Sequence, residues 1–478
     1  MSEAENSFSD ARVRIRPAAP EPHRKNLTTV GLILELRKNP IAAFGARAYR
    51  EPYIYIRSRL RHFLMVCDPE GAKHVLLDNA QNYVKSDQVQ RQLKPALGNG
   101  LVTAEGESWR FQRRTAAPLF QPRLIDQFLP AMRQATQSML ERWREFPDGA
   151  EIEITEELTR LTYDIISRTM FSGDVTMDHG SMSRALSTYL VNVGRVDFAA
   201  ALGLPQWLPT PGRMRAWPAL RFFRREIRTL IAKRRVQLAA GTTTAPVDLL
   251  TLLLTTRDPD GGRLFGEKEI EDNILTFIFA GHETTANTVA WTLYLLSLFP
   301  EWDERVAAEA ASLGSNSACN LEVLPVARCV IEESMRLYPP APLIARDAIG
   351  ADHVGGIAIE PGTFVLIPIW VIQRHNALWQ DPDSFDPGRF MAERRNKIPR
   401  FAYLPFGAGP RVCIGMGFAM EEALVILSTI AAEFRLALKP DHPVEPMARI
   451  TLRPLHGLRM KIHRRVPDQA SVASAAGS

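Results

Sequence analysis

Cysteine is scarce in this chain, and nothing gathers what little there is. Four cysteines in 478 residues (Cys67, Cys319, Cys329 and Cys413) form neither a disulfide framework nor the paired CxxC spacing of a zinc site. A reducing, cytoplasmic setting is therefore expected. An excess of one charge is missing too. The 58 basic and 53 acidic residues leave a net of +5, and the basic ones are dispersed rather than drawn into a nucleic-acid-binding stripe. A local basic face for an acidic protein partner stays open. The first 26 residues, MSEAENSFSDARVRIRPAAPEPHRKN, lack the apolar h-region of a signal peptide and any membrane anchor. No Gly/Ser linker or low-complexity break falls between residues 30 and 465, and no repeats occur. Length alone allows about three domains. Without a break, one domain is expected over residues 27–465, between a flexible segment 1–26 and a disordered tail 466–478.

What is present is mostly helical pattern. The chain is 46% hydrophobic, enough for a large core. SMSRALSTYLVNV and ALRFFRREIRTLIAKRRVQL carry apolar residues at spacings of three and four. LPQWLPTPGRMRAWP (204–218), with four prolines, predicts a loop between them. The strongest element runs from about Glu267 to Phe299, nearly 50 Å at about 1.5 Å per residue. Asn273, His282 and Glu283 inside it argue against a membrane span, so it reads as a buried central helix. PYIYIRSRLRHFLMV (52–66) and TFVLIPIWVI (363–372) read as β pieces, and a helix is expected from about 416 to 434. The fold class is mainly α with a minor β region.

One of the four cysteines sits in FGAGPRVCIG (406–415). A thiolate is a nucleophile or a soft metal ligand, and its pKa falls near cations and at helix N-termini. Cys413 has Arg411 two residues before it and a helix just after it. Gly407, Gly409 and Gly415 let the backbone turn tightly and admit a flat group. A thiolate on a loop with backbone N–H donors nearby suits an axial haem ligand.

The phrase F-x-x-G-x-R-x-C-x-G is long and specific, and Phe406, Gly409, Arg411, Cys413 and Gly415 match it. With it the sequence resembles the cytochrome P450s of the soluble bacterial type, haem-thiolate monooxygenases, over roughly residues 30–465. The resemblance implies the P450 fold, with a long central helix over a buried haem b. AGHETT (280–285) lies in that helix. In the family such a segment distorts the helix and binds oxygen, with Ala280 and Gly281 over the haem. Thr284 is expected to hydrogen-bond the oxygen and Glu283 to help deliver protons. A Thr hydroxyl can compete for helix carbonyls, which weakens the ladder there. A zinc-protease reading of HE fails, because HExxH needs His where Ala286 stands. EESMR supplies Glu333 and Arg336 on one helical face, and SFDPGRF supplies Arg389. By resemblance these three form a buried structural network. WRFQR puts Trp109 and Arg113 on one face, donors for the haem propionates with Arg411 as a third. Phe406, Gly407 and Gly415 complete the haem contacts, and His375 is a further propionate candidate.

Some positions depart from the family pattern. PPAPLIARD is apolar until Arg346, so the propionate role of an early strand arginine is not carried over to that residue. No arginine replaces the acid before Thr284, which favours oxygen activation with delivered electrons. Those electrons are expected from NAD(P)H through a separate ferredoxin or flavodoxin and its reductase, with the chain a monomer. The substrate pocket is assigned by resemblance to Leu101, Val102, Phe277, Ala280, Leu343, Ile344 and Leu452. Its apolar side chains suit a hydrophobic small molecule; fatty acid, terpenoid, steroid and aromatic substrates all fit. The expected reaction is hydroxylation with one atom of O2. A haem sensor or carrier without turnover, and peroxide-driven or isomerase chemistry on the same fold, are the competing readings.

Overall fold

The computed structural model describes residues 15–25, 27–57, 61–172, 211–241, 246, 248–312 and 323–465. Its longer helices are α1 (Thr29–Lys38), α2 (Asp87–Leu97), α3 (Gly106–Ala116), α4 (Leu129–Arg144), α5 (Ile154–Phe171), α6 (Pro211–Ala239), α7 (Leu249–Thr255), α8 (Glu267–Leu298), α9 (Pro300–Ser312), α10 (Pro325–Leu337) and α11 (Met416–Glu433). The tail 466–478, residues 1–14, the SMSRALSTYLVNV helix and Cys319 lie outside the described residues.

The sequence makes α8 the axis of the molecule. Glu269 accepts from the Gly266 N–H at 2.8 Å, and Glu267 and Glu269 place negative charge in the first turn, where the helix dipole favours it. Every residue from Ile270 to Phe279 and from Thr285 to Leu296 is buried. Two of those, Glu271 and Asp272, are carboxylates near the helix start. Arg224 and Arg228 of α6 reach Glu271 at 2.5 and 2.9 Å, and Lys268 reaches Asp272 at 2.6 Å. Pro300 opens the next helix, so α8 ends at Leu298. Helices α5, α10 and α11 pack around it. The largest apolar cluster draws residues from Ile41 to Ile462. No helix among the described residues is long and apolar enough to cross a membrane.

The β structure is peripheral. β1 (Tyr53–Ile56), β2 (Phe63–Val66), β3 (Tyr83–Lys85), β5 (Ile344–Ala348) and β8 (Phe364–Ile367) form a sheet in the order β1-β2-β8-β5-β3. In β3 and β5 the register sets Lys85 directly opposite Arg346. β4 (Glu151–Glu153), β9 (Phe434–Leu438) and β12 (Arg459–Arg464) make a second sheet. Two hairpins complete the set: β6 (Asp352–Val354) with β7 (Ile357–Ile359), and β10 (Pro446–Ala448) with β11 (Leu452–Pro454).

Two expectations change. Of the stretch 204–218, residues 204–210 lie outside the described residues and the rest is not a loop: α6 begins at Pro211 and carries Pro218 within it. Proline at a helix start gives up no hydrogen bond, because the first-turn N–H groups have no partner there anyway. The piece 363–372 is a strand only to Ile367; Ile369–Ile372 form a helical turn, and all four side chains are buried.

Candidate active site

The cysteine loop is shaped by its glycines and by a distant segment. Gly407 and Gly409 have φ of +68° and +70°, the left-handed region. A Cβ on Gly409 would lie 1.8 Å from the Leu76 carbonyl oxygen, so no other residue fits. The Cys413 N–H donates to the Phe406 carbonyl at 2.9 Å, which closes the loop, and Met416 starts α11. The Cys413 side chain is exposed, although packed protein lies all around this part of the chain.

The thiol does not behave as its neighbours in sequence suggest. Burial pushes its pKa up, and the Gly415 N–H and then Arg113 pull it back only partly. Arg411, two residues away, does not take part. It turns aside to pair with Glu105, donates to the Ala104 carbonyl at 2.9 Å and stacks on Trp109 with its guanidinium 4.1 Å from the ring centre. A metal ion at the sulfur reverses the burial penalty, since a coordinating thiol is deprotonated outright.

Beside this loop the structure gathers cations that one carboxylate cannot balance. Glu105 accepts from the Lys85 backbone N–H at 3.0 Å and pairs with Arg411. The Lys85 ammonium donates to the carbonyls of Ala104 (3.0 Å) and Leu101 (3.4 Å) and pairs with no carboxylate among the described residues. Burial, then Arg411, lowers its pKa to about 6. Arg346 lies across the strand pair, its pKa lowered to about 10 by burial and then by Arg411. Three buried or half-buried cations thus share Glu105. A group bearing two carboxylates satisfies this donor set, with Trp109 and half-buried Arg113 from α3 at its border. The residues present fit haem. Lys85 was not foreseen, because one lysine in a short β-like run gives no signal. Arg346, which the apolar run before it had set aside, belongs to the cluster because β5 begins at Ile344 and brings it opposite Lys85. His375 has Glu51, Asp68 and Ala377 around it, and its Nε2 is buried without a hydrogen-bond partner among the described residues.

The second face comes from the middle of α8. Burial breaks there, with Ala280 exposed and Gly281, Glu283 and Thr284 partly so. The Thr284 hydroxyl donates to the Ala280 carbonyl at 2.6 Å, and Thr288 repeats the contact to the Thr284 carbonyl at 2.8 Å. The chain stays helical through 280–284 while this hydroxyl shares the Ala280 carbonyl. A Cβ at Gly281 would come within 3.3 Å of Ile166, so the glycine lets α5 approach. Burial raises the Glu283 pKa, against Arg453 and the Thr451 hydroxyl, which lower it. Phe120 ties the two faces together, packing edge-on to Phe277 at 5.3 Å and reaching the Cβ position of Gly415 at 4.0 Å.

The expected pocket residues divide. Leu343 and Ile344 are half-buried, and Ile344 lies 3.5 Å from the Cβ position of Gly407. Leu101 is buried and fixed to α8 by its N–H to Asn273 at 3.0 Å. Phe277 and Leu452 are packed into apolar clusters, and Val102 is exposed. The ion network assembles in full. Arg336 donates to Glu333 at 2.7 and 2.8 Å, and to the carbonyls of Gln373, Pro382 and Ser384. Arg389 stands 3.4 Å from Glu333.

A long helix broken in burial at its middle, facing a glycine-shaped cysteine loop beside a cation cluster, defines a haem-thiolate protein. The family model for cytochrome P450 matches residues 20–458. Pentalenene oxygenase of Streptomyces avermitilis is 31% identical, over 92% of this chain and 96% of its own. Cytokinin hydroxylase of Arabidopsis thaliana is 34% identical over 83% and 78%. The crystal structure of the cytochrome P450DA haem domain superposes with a TM-score of 0.79 at 26% identity, covering 95% of this chain and 99% of that one. The chain belongs to the cytochrome P450 family. It is a monooxygenase that uses haem b and O2, hydroxylates a hydrophobic small molecule, and draws electrons from NAD(P)H through a redox partner.

Proposed function

We propose that Cys413 is the axial ligand of the haem iron and that the middle of α8 forms the oxygen- and substrate-binding face. The observation that carries this reading is the cysteine loop itself, with a cation cluster beside it that calls for two more carboxylates. Lys85, Arg346, Arg411, Arg113 and the Trp109 indole N–H are assigned to those carboxylates, and Phe406, Gly407 and Gly415 to the edge of the ring. When bound, the haem supplies the activation of O2 and the hydroxylation of a C–H bond. Around it the chain binds, orients and excludes water. Ala280, Leu343 and Ile344 give the substrate apolar contact, and Leu101, Val102, Phe277 and Leu452 are assigned to the outer parts of that wall. Thr284 is assigned to hydrogen-bond on the oxygen-binding face, and Glu283 to help deliver protons to it. Glu333, Arg336 and Arg389 hold the loop side in shape without touching substrate.

The partner is assigned as a ferredoxin or flavodoxin with its reductase, acting on a monomer. The carbon monoxide difference spectrum of the reduced protein tests the ligand. Wild type is expected to give the red-shifted Soret band of thiolate-bound haem, and Cys413→Ala to lack it; a wild type without the band ends the proposal. Thr284→Ala is expected to keep the band and divert oxygen to peroxide. Unchanged coupling of NAD(P)H use to product would remove Thr284 from its role.

A further inference from the structure

Between His74 and Lys85 the chain passes through three conformations and gives the site two of its parts. A single π-helical turn runs from His74 to Asp78, a 3-10 turn from Ala80 to Asn82, and β3 from Tyr83 to Lys85. The Leu76 carbonyl of the first turn lies against Gly409 of the cysteine loop, and Lys85 ends the last piece opposite Arg346. Turns of these kinds have poorer hydrogen-bond geometry than an α-helix or occur singly, so their shape depends on outside contacts. Val75, Leu76 and Tyr83 are buried in the apolar cluster that Ala408 of the cysteine loop borders, which fixes the inner side of the segment. Polar groups on the segment meet the hairpin of β6 and β7.

One carboxylate of that hairpin reaches the segment at three points. Asp352 Oδ2 accepts from His74 Nε2 at 2.8 Å, from Asn79 Nδ2 at 3.0 Å and from the Tyr83 hydroxyl at 2.5 Å. Its Oδ1 accepts from the His353 N–H at 2.7 Å. Beside it Asn82 and Gly350 bond reciprocally, Asn82 Nδ2 to the Gly350 carbonyl at 3.2 Å and the Gly350 N–H to Asn82 Oδ1 at 2.8 Å. Burial works against a charge on Asp352, yet the Tyr83, His74, His353 and Asn79 donors hold its carboxyl below the usual range. The other charged groups nearby are engaged elsewhere. Lys73 turns to Asp78 at 3.5 Å and Glu70 at 3.8 Å, and Glu360 to His62 at 3.6 Å. Among the described residues His74 is therefore the one group that brings Asp352 a positive charge when protonated.

We infer that Asp352 is a positioning residue: through His74, Asn79 and Tyr83 it holds residues 74–85 so that the Leu76 carbonyl shapes the cysteine loop and Lys85 stands in the cation cluster. The inference rests on the reading of Cys413 as the iron's ligand and of Lys85 as a partner of the haem carboxylates. One anion on a peripheral hairpin then supports both the thiolate side and the carboxylate side of the cofactor site. An imidazolium gives a charge-assisted hydrogen bond and a neutral ring a weaker one. The hold at His74 is accordingly tightest when the ring is protonated and slackens as pH rises.

The test compares Asp352→Ala, Asp352→Asn, Tyr83→Phe and His74→Gln with wild type in the haem-loaded enzyme. Haem release, followed as transfer to an excess of a globin apoprotein, is expected to quicken roughly tenfold in Asp352→Ala and less in Tyr83→Phe. In the carbon monoxide difference spectrum, Asp352→Ala is expected to lose part of the red-shifted Soret band to the band of haem without thiolate. A third readout separates positioning from bulk stability. Wild-type release is expected to speed up as pH rises from about 5 to 8, and His74→Gln and Asp352→Asn are expected to flatten that rise. If Asp352→Ala keeps the release rate, the band and the pH profile of wild type, even with a lowered melting temperature, the inference fails and the ligand reading stands. If wild type itself lacks the red-shifted band, the ligand reading fails and takes the inference with it. Should Asp352→Ala not fold, Asp352→Asn and Tyr83→Phe carry the same comparison.

Discussion

Glu333 on α10 and Glu422 on α11 are both fully buried carboxylates, and they are held in opposite ways. Glu333 accepts two hydrogen bonds from Arg336 and one from the Asp386 N–H at 2.9 Å, with Arg389 close by. Neither oxygen of Glu422 has a partner in hydrogen-bond geometry among the described residues. Burial lifts its pKa to about 8, and the nearby Thr285 hydroxyl only tempers the effect. Burial by itself therefore does not decide whether an interior acid is charged; the donors brought to it do. One carboxylate is locked into the scaffold by guanidinium groups, and the other is pushed toward its neutral form against the central helix.

Breaking the first is expected to have the largest effect. Arg336→Met leaves Glu333 as a buried charge without its main partner, a loss of about 3–5 kcal/mol. The measurement is haem bound per purified chain together with thermal unfolding; near-normal haem content would show that the network is dispensable. The second carboxylate is expected to appear as a pH dependence. Its folded pKa of about 8 lies above the unfolded 4.5, so its stabilising contribution is complete below pH 4.5 and is lost as pH rises toward 8. Glu422→Gln is expected to abolish that part of the slope, on the order of 5 kcal/mol across the window, in denaturant titrations at several pH values. Parallel slopes for wild type and variant would mean that Glu422 is ionised in the fold. The smallest effect is expected from Thr285→Val. Without the hydroxyl the pKa of Glu422 rises further, so the upper edge of the same window moves to higher pH; a downward move would reverse the sign assigned to Thr285.

The parts legible in the sequence were those whose partners lie close along the chain or inside one helix. The central helix, the i, i+3 pair Glu333 and Arg336, and the i, i+4 pair Trp109 and Arg113 all appeared where spacing put them. Arg389 joined its network as the family pattern implied. What stayed hidden depended on register between distant strands or on competition between partners. Lys85 and Arg346 meet only because β3 pairs with β5. Arg411 stands two residues from Cys413, yet Glu105 and Trp109 draw it away, and burial rather than a nearby cation sets the thiol. Glu422 carried no signal, because a glutamate in a helix is ordinarily solvated and its burial follows from how α11 docks.

The contact between Gly409 and the Leu76 carbonyl also bears on synthesis. The loop that presents Cys413 is moulded against residues 74–78, which leave the ribosome long before it. The Leu404 N–H is likewise held by Gln373 at 2.8 Å. A nascent chain can fold its earlier helices as they appear. It cannot form the cysteine loop until residues 404–415 have followed, so cofactor capture waits on a segment made long after the wall it rests on, and a chain cut short before Cys413 lacks the thiol assigned to the iron.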